Sequence, residues 1–211
     1  DKNQIQSNFA RHADHYDRYA QVQDRVGQAL LEQCPAQGVE TILDIGCGTG
    51  TFTRHVRDRY AQAHMTAVDL CPNMIEVART KLGTDHMVYV VGDAEILPLP
   101  GPYDLIVSNA CMQWFSDLAG ALKTYGQALT DQGMLVFSMF GPKTFCELSH
   151  ALSCLMGRPM AISADGFYHA TEIECYLRRV FNTVTVRCDV VEQTYDTVWD
   201  LLKAIKYTGT K

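Results

Sequence analysis

Three glycines in five residues, Gly46, Gly48 and Gly50, are the most chemically suggestive feature of the chain. They lie in Leu43-Asp44-Ile45-Gly46-Cys47-Gly48-Thr49-Gly50, between an apolar, β-branched run (39–45) and a helix-like stretch (52–60). A glycine adopts φ > 0 at little cost and has no Cβ, so another molecule can lie against its backbone. The turn also opens a helix whose first N–H groups lack partners within the helix. Together these features make a cradle for a polar small molecule. The spacing is G-x-G-x-G, not the G-x-G-x-x-G of dinucleotide sites, so a bound pyrophosphate is not implied. Asp44, just ahead of the first glycine, disfavours phosphate and suits a cationic ligand or a polar turn. Asp69 ends the next strand-like run roughly 20 residues on, the distance at which an acid reaches ribose hydroxyls. A phosphate-free nucleoside fits this set better than a dinucleotide. A βα turn with no ligand, or a nicotinamide or flavin fold, would use the same elements.

The elements that must position these residues alternate. Strands are expected at about 39–45, 65–69, 87–91, 103–108 and 134–140, with helices at 52–60, 72–82 and 118–129 between them. Pro72 suits a first helical turn, and Asp131-Gln132-Gly133 reads as the turn into the fifth strand. This βαβ series predicts an α/β fold: a doubly wound, mostly parallel sheet with right-handed crossovers. Ligands of such sheets lie at the carboxyl ends of the strands, near the reversal of strand order. That rule selects Asp44, Gly46, Cys47, Gly48 and Gly50 after the first strand, and Asp69 and Leu70 after the second. It selects Asp93 and Ala94 after the third, where a carboxylate can accept from an exocyclic amine, and Asn109, beside Ser108 and Ala110, after the fourth.

Residues 1–35 read as helical. Ile5, Phe9, His12 and Tyr16 recur at helical spacing, and Tyr19, Val22, Val26, Ala29 and Leu30 form a second stripe. The polar and aromatic mixture of the first stretch suits a lid over the mouth of the site. Beyond the fifth strand, helices are expected at 143–155, 171–181 and 197–207. Thr171 serves as N-cap of the second, with Glu174 in a capping box, and an alternating, β-rich segment runs from Val184 to Gln193. The expectation is one domain over 1–211: a helical lid (1–35), a cofactor-binding core (36–140), and a substrate-side insertion with C-terminal elements (141–211).

The net charge of −6 gives a nucleic-acid partner no bulk electrostatic support. No apolar run approaches the length of a membrane span, and no signal-peptide pattern opens the chain, so a cytoplasmic protein without a membrane partner is expected. The eight cysteines contain no C-x-x-C pair, and the histidines no H-x-x-x-H spacing. Free buried thiols in a reducing compartment, Cys47, Cys111 and Cys188 among them, and no metal site are expected. The sequence begins at Asp1 without a methionine, so native residues are expected upstream.

The glycine turn with Asp69 resembles the S-adenosylmethionine site of the class I methyltransferases. The resemblance narrows along the chain. Phe9-Ala10 with Tyr16-Asp17, the glycine turn, Gly92-Asp93-Ala94-Glu95 with Leu97-Pro98, Ser108-Asn109 with Gln113-Trp114 and Asp117-Leu118, and Phe140-Gly141-Pro142 with Thr144 and Glu147-Leu148 stand in order. The chain is similar, over nearly its whole length, to the malonyl-[acyl-carrier protein] O-methyltransferases of biotin synthesis. The resemblance implies S-adenosyl-L-methionine as cofactor and methylation of the free carboxylate of a malonyl thioester, on acyl-carrier protein or coenzyme A. A carboxylate with a pKa around 4 is already ionised at pH 7, so no general base is needed. Alignment and exclusion of water should carry the catalysis. Arg11, His12 and Tyr16 from the lid, with Gln113 and Trp114 from the loop after the fourth strand, are the candidates to orient the acceptor. An acidic carrier protein would dock on basic residues, with Lys123, Lys143, Arg158, Arg178, Arg179, Lys203 and Lys206 as candidates and some of Lys143, Arg158, Arg178 and Arg179 expected to meet near the cofactor mouth. Lys143 stands where the family often has a small residue. Such methyltransferases also close with one more strand beside the fifth, which this sequence, stopping at Lys211, does not reach. A methyltransferase acting on a quinone precursor or another carboxylic acid, or a non-catalytic cofactor-binding subunit, would show the same cofactor motifs.

Overall fold

The computed structural model describes residues 2–208; Asp1 and Lys211, the chain ends noted above, lie outside them. Strands β1 (Thr41–Ile45), β2 (His64–Asp69), β3 (Met87–Val91), β4 (Tyr103–Asn109) and β5 (Leu129–Ser138) form one parallel sheet in the order β3-β2-β1-β4-β5. The order reverses beside β1, so the carboxyl ends of β1 and β4 flank a crevice. The sheet is buried on both faces. Leu43 and Ile45 of β1 join Ile106, Leu118, Leu122 and Tyr125 on one side. Ile42 joins Leu105, Val107, Phe52 and Val56 on the other. That two-sided burial explains why β1 carries apolar residues at adjacent positions, Ile42 and Leu43, rather than only at alternate ones.

Helices α4 (Thr51–Arg59), α5 (Pro72–Leu82) and α6 (Leu118–Ala128) connect the strands as expected. Asp117 caps α6 by accepting the N–H of Gly120. Ahead of the sheet, the predicted helical segment divides into α1 (Lys2–Ala10), a 3₁₀ turn at Ala13–His15, α2 (Tyr16–Tyr19) and α3 (Gln21–Leu31). The Ile5–Tyr16 stripe therefore does not lie on one continuous helix. No helix of the described residues is long and apolar enough to cross a membrane.

Several expectations need correction. Asp131-Gln132-Gly133 is not a turn ahead of the fifth strand but lies within β5. Tyr103 pairs with Leu129 and Leu105 with Met134, so the extra residues bulge out of the ladder. Gly133 fits there because a Cβ would come within 2.8 Å of the Tyr103 carbonyl oxygen. Helix α7 (Cys146–Met156) starts later than expected, after a turn in which the Thr144 hydroxyl donates to the Gly141 carbonyl. Helix α8 (Ala170–Leu177) is capped by His169, whose N–H donates to Glu172 at 2.8 Å, and not by Thr171 and Glu174.

The segment 184–193 forms no strand. Its alternation is real, since Val184 and Val186 pack on the core while Val190 is 84% exposed. Alternation specifies an extended chain with one apolar side, but a strand also needs a partner edge. Cys188 is accordingly exposed rather than buried, as are Cys146, Cys154 and Cys175; Cys111 is half-buried, and Cys34, Cys47 and Cys71 are buried. The last helix, α9 (Val198–Tyr207), begins where expected. Thr197 caps it by accepting the Asp200 N–H.

Candidate cofactor and acceptor site

At the carboxyl end of β1 the chain turns through Gly46 (φ 70°), Gly48 (φ 55°) and Gly50 (φ 82°) into α4. The first two glycines serve different purposes. At Gly46 a Cβ would fall 2.2 Å from the Cys111 Sγ, so absence of a side chain lets the loop after β4 close against the turn. At Gly48 a Cβ would meet nothing within 4 Å. There the glycine leaves bare backbone facing open space, where a ligand can approach.

Asp69 clasps this turn from the end of β2. One carboxylate oxygen accepts the Gly48 N–H at 2.9 Å and the other the Cys71 N–H at 2.8 Å. Burial raises its pKa, and the two N–H bonds work against that rise. Each oxygen keeps a second lone pair for an incoming hydroxyl. Asp44 lies beneath the turn and is 1% exposed. The Thr53 hydroxyl donates to one of its oxygens at 2.6 Å, and the other has no partner among the described residues. Burial pushes its carboxyl up to about 7, against the Thr53 bond, with Asp69 adding to the rise. Cys47 and Cys111 flank the turn. Burial first, then the carboxylates of Asp69 and Asp44, push both thiols up, so they stay protonated and poor nucleophiles.

The end of β3 is covered by α1. The Lys2 ammonium donates to both Asp93 oxygens, at 2.8 and 2.6 Å, and to Glu95, and lies 5.7 Å from the centre of the Phe115 ring. Burial opposes the ammonium charge, and the bonds to Asp93 and Glu95 outweigh it and hold its pKa above the usual value. Gln6 Nε2, one turn further along α1, donates to the Leu70 carbonyl at 2.7 Å. The Ala94 carbonyl accepts the Tyr125 hydroxyl at 2.9 Å. Residues at the ends of β2 and β3 are thus in place, but α1 lies directly over them.

Helix α2 closes on the glycine turn. Asp17 accepts from the hydroxyls of Thr49 and Thr51 and pairs with Lys81. Burial opposes its charge, yet Lys81 and the hydroxyls hold its carboxyl below the ordinary range. Burial first, then the charges of Asp69 and Asp17, raise the Tyr16 phenol, so this side chain faces the acidic end of the site. The other two lid candidates diverge from it. Arg11 is exposed, and the His12 ring packs edge-on against Tyr207 of α9 with centroids 4.8 Å apart. Asp17 and Lys2 were not picked out as site residues from sequence. The motif Tyr16-Asp17 carried a signal for the first; nothing local to Lys2 announced its pairing 91 residues away.

At the end of β4, Ser108 and Asn109 hold the frame. The Ser108 hydroxyl donates to the Ile45 carbonyl at 2.8 Å. Asn109 donates to the Gln23 carbonyl at 2.9 Å and accepts the Ser138 hydroxyl at 2.7 Å, tying α3 and β5 to β4. Those bonds use one N–H donor and one acceptor position of its amide and leave one of each. Ala110 follows at φ 54°, a left-handed conformation held by its N–H bonded to the Ser138 carbonyl and hydroxyl. Such strain in a non-glycine residue persists only where surrounding structure enforces it. It directs the chain into the 3₁₀ turn Met112–Trp114. Gln113 is buried there, with Nε2 donating to the Ala110 carbonyl at 2.8 Å, and the Trp114 ring meets Phe167 edge-on at 5.1 Å. Both line a cavity of about 320 Å³ with Gln4, Ile5 and Asn8 of α1. Among the basic candidates for a carrier dock, Arg178 pairs with Glu174 on α8.

Comparison with known proteins fits this geometry. The family described as a methyltransferase domain matches residues 43–137, which span the glycine turn through β5. A malonyl-[acyl-carrier protein] O-methyltransferase of Acetivibrio thermocellus is 41% identical over 70% of this chain and 53% of its own length. Another, from Geobacter sulfurreducens, is 35% identical over 99% of this chain and 81% of its own. A methyltransferase of Haloferax volcanii, solved in complex with the Trm112 methyltransferase activator, superposes with a TM-score of 0.64 at 21% identity, over 82% of this chain and 75% of that one. That likeness shows a Rossmann-like methyltransferase fold. Relatives such as the Acetivibrio enzyme are matched over only about half of their length. With one relative aligned nearly end to end, and the glycine turn, acidic clasp and strand order all in place, this chain belongs to the malonyl-[acyl-carrier protein] O-methyltransferase family.

Proposed function

We propose that this protein transfers a methyl group from S-adenosyl-L-methionine to the free carboxylate of a malonyl thioester, on acyl-carrier protein or coenzyme A, in the cytoplasm as an early step of biotin synthesis. The observation that carries the reading is the clasp of Asp69 on the Gly48 N–H beside an open glycine face. The residues present fit that cofactor. Asp69 retains lone pairs for ribose hydroxyls. The unpartnered oxygen of Asp44 belongs to a carboxyl that burial keeps protonated up to about 7, and a cationic sulfur nearby would favour its ionised form. Bare backbone at Gly48 admits close approach. When bound, the cofactor supplies an electrophilic methyl group on a positively charged sulfur.

The chain's own work is then binding, orientation and exclusion of water. Asp69, the glycine turn and, at the third strand end, Asp93 with Ala94 hold the nucleoside. Tyr16 closes over it from α2, and α1 covers the crevice. The acceptor carboxylate is ionised at pH 7, so no side chain must take a proton from it. Gln113 and Trp114 stand on the acceptor side, where they position the thioester that bears the carboxylate without bringing a cation that would blunt the nucleophile. The homologues' names support the acceptor, and the acidic carrier would meet basic residues by charge complementarity. The test is transfer of labelled methyl from the cofactor to malonyl-carrier protein, with the ester located by mass. Transfer onto the malonyl carboxylate is expected. Cofactor binding without transfer to any malonyl thioester would overturn the reading.

A further inference from the structure

Among the described residues, no charged side chain lines the cavity under α1. It is lined by Gln4, Ile5, Asn8, Gln113, Trp114 and Phe167, with Ser163 and Gly166, and its volume of about 320 Å³ is at the lower end for small-molecule sites. It opens beside the strained end of β4, between the lid and the chain beyond α7. Three of its walls carry side-chain amides, and its aromatic part is the edge-to-face pair Trp114–Phe167.

Those groups discriminate between the two ends of a malonyl thioester. A carboxylate brought there would lose hydration with no cation to replace it. A neutral chain bearing amides would not. Its N–H and C=O groups meet the amides of Gln4, Asn8 and Gln113, and its methylenes lie on the two rings. Gln113 sharpens the choice. Its Nε2 is engaged by the Ala110 carbonyl, while its Oε1 is buried with no partner among the described residues. Once a rotation of the side-chain amide turns that oxygen into the cavity, an amide N–H satisfies it, whereas a carboxylate would bring only a second acceptor.

We propose that this cavity takes the neutral, amide-bearing pantetheine arm of the thioester and not its carboxylate. The inference rests on the malonyl-thioester reading above. It makes Asn8 and Gln4 specificity-determining residues for the arm and explains how carrier protein and coenzyme A, which share it, can both present the acceptor.

The experiment compares malonyl-N-acetylcysteamine, which keeps one amide, with malonyl-pantetheine, which has both. The wild-type KM for the pantetheine thioester should be at least about tenfold lower, equivalent to about 1.4 kcal/mol. In Asn8→Leu the ratio of the two KM values should fall to within about twofold. Gln4→Ala, at an exposed position of α1, gives the same readout should Asn8→Leu not fold. Equal wild-type KM values would overturn the proposal. So would an Asn8→Leu variant that raises both KM values equally, since the cavity would then hold the malonyl head. If neither thioester is methylated, the functional reading fails, and binding still decides this inference. Saturation-transfer NMR with pantetheine alone should show contact in the wild type and loss in Asn8→Leu, and no wild-type contact would overturn it.

Discussion

Asp69 accepts the Gly48 N–H at 2.9 Å while its other oxygen accepts the Cys71 N–H at 2.8 Å, so one carboxylate joins the glycine turn to the start of α5. Asp69→Ala leaves both N–H groups without this partner. The expected loss is about 2 kcal/mol in urea unfolding, together with at least a roughly tenfold weaker calorimetric affinity for S-adenosylhomocysteine. Loss of stability with unchanged affinity would make Asp69 a structural clasp alone.

Gly46 and Gly48 separate packing from ligand approach. Gly46→Ala forces a Cβ into Cys111 as well as straining φ, so it should destabilise by 2 kcal/mol or more on the order of other overpacked sites. Gly48→Ala meets no neighbour and should cost only about 1 kcal/mol of backbone strain. Yet it places a methyl group on the open face, so nucleoside affinity should fall disproportionately. Thermal melts with and without S-adenosylhomocysteine compare the two.

Asp44 sets a pH dependence with a definite sign. Folded, its carboxyl holds a proton up to about 7; its ordinary value is 3.8. Between those values the folded chain binds the extra proton, so the contribution to stability is present at low pH and is lost as pH rises through about 7. Stability of the wild type relative to Asp44→Asn should therefore fall by up to about 4 kcal/mol between about pH 4 and pH 7. Denaturation of both proteins across that range measures it, and parallel profiles would show that Asp44 is ionised throughout.

Asp17 carries the opposite sign. Its pKa is depressed by Lys81 and the threonine hydroxyls against the effect of burial. Its contribution is present above the usual aspartate value and is lost as pH falls through the lower folded one. The pair with Lys81 is partly exposed, so Asp17→Asn should cost less than about 1 kcal/mol globally. The local effect should be larger: faster hydrogen exchange over residues 2–19, measured by mass spectrometry.

The parallel sheet was legible because the strands are short apolar runs separated by helical stripes, and because Gly46-Cys47-Gly48-Thr49-Gly50 announces a βα turn without reference to anything distant. Asp69 and Asp93 were legible as strand ends. What was not legible depends on contacts made across the chain. Asn109 has the right position for a ligand, but its amide is engaged by Gln23 and Ser138, which no local pattern reveals. Val184–Gln193 has the alternation of a strand and lacks only a neighbouring edge. His12 and Tyr16 are equally aromatic and polar, yet a 3₁₀ turn between them sends one toward Tyr207 and the other toward Asp69.

Tyr207, near the last described residue, stacks on Tyr19 with ring centres 4.6 Å apart, and Lys2, the first, holds Asp93. Polypeptide joined near either point is tethered to the segment that covers the strand ends. An affinity handle fused at either terminus would load that segment directly. A reporter group belongs instead at Val190, which is 84% exposed.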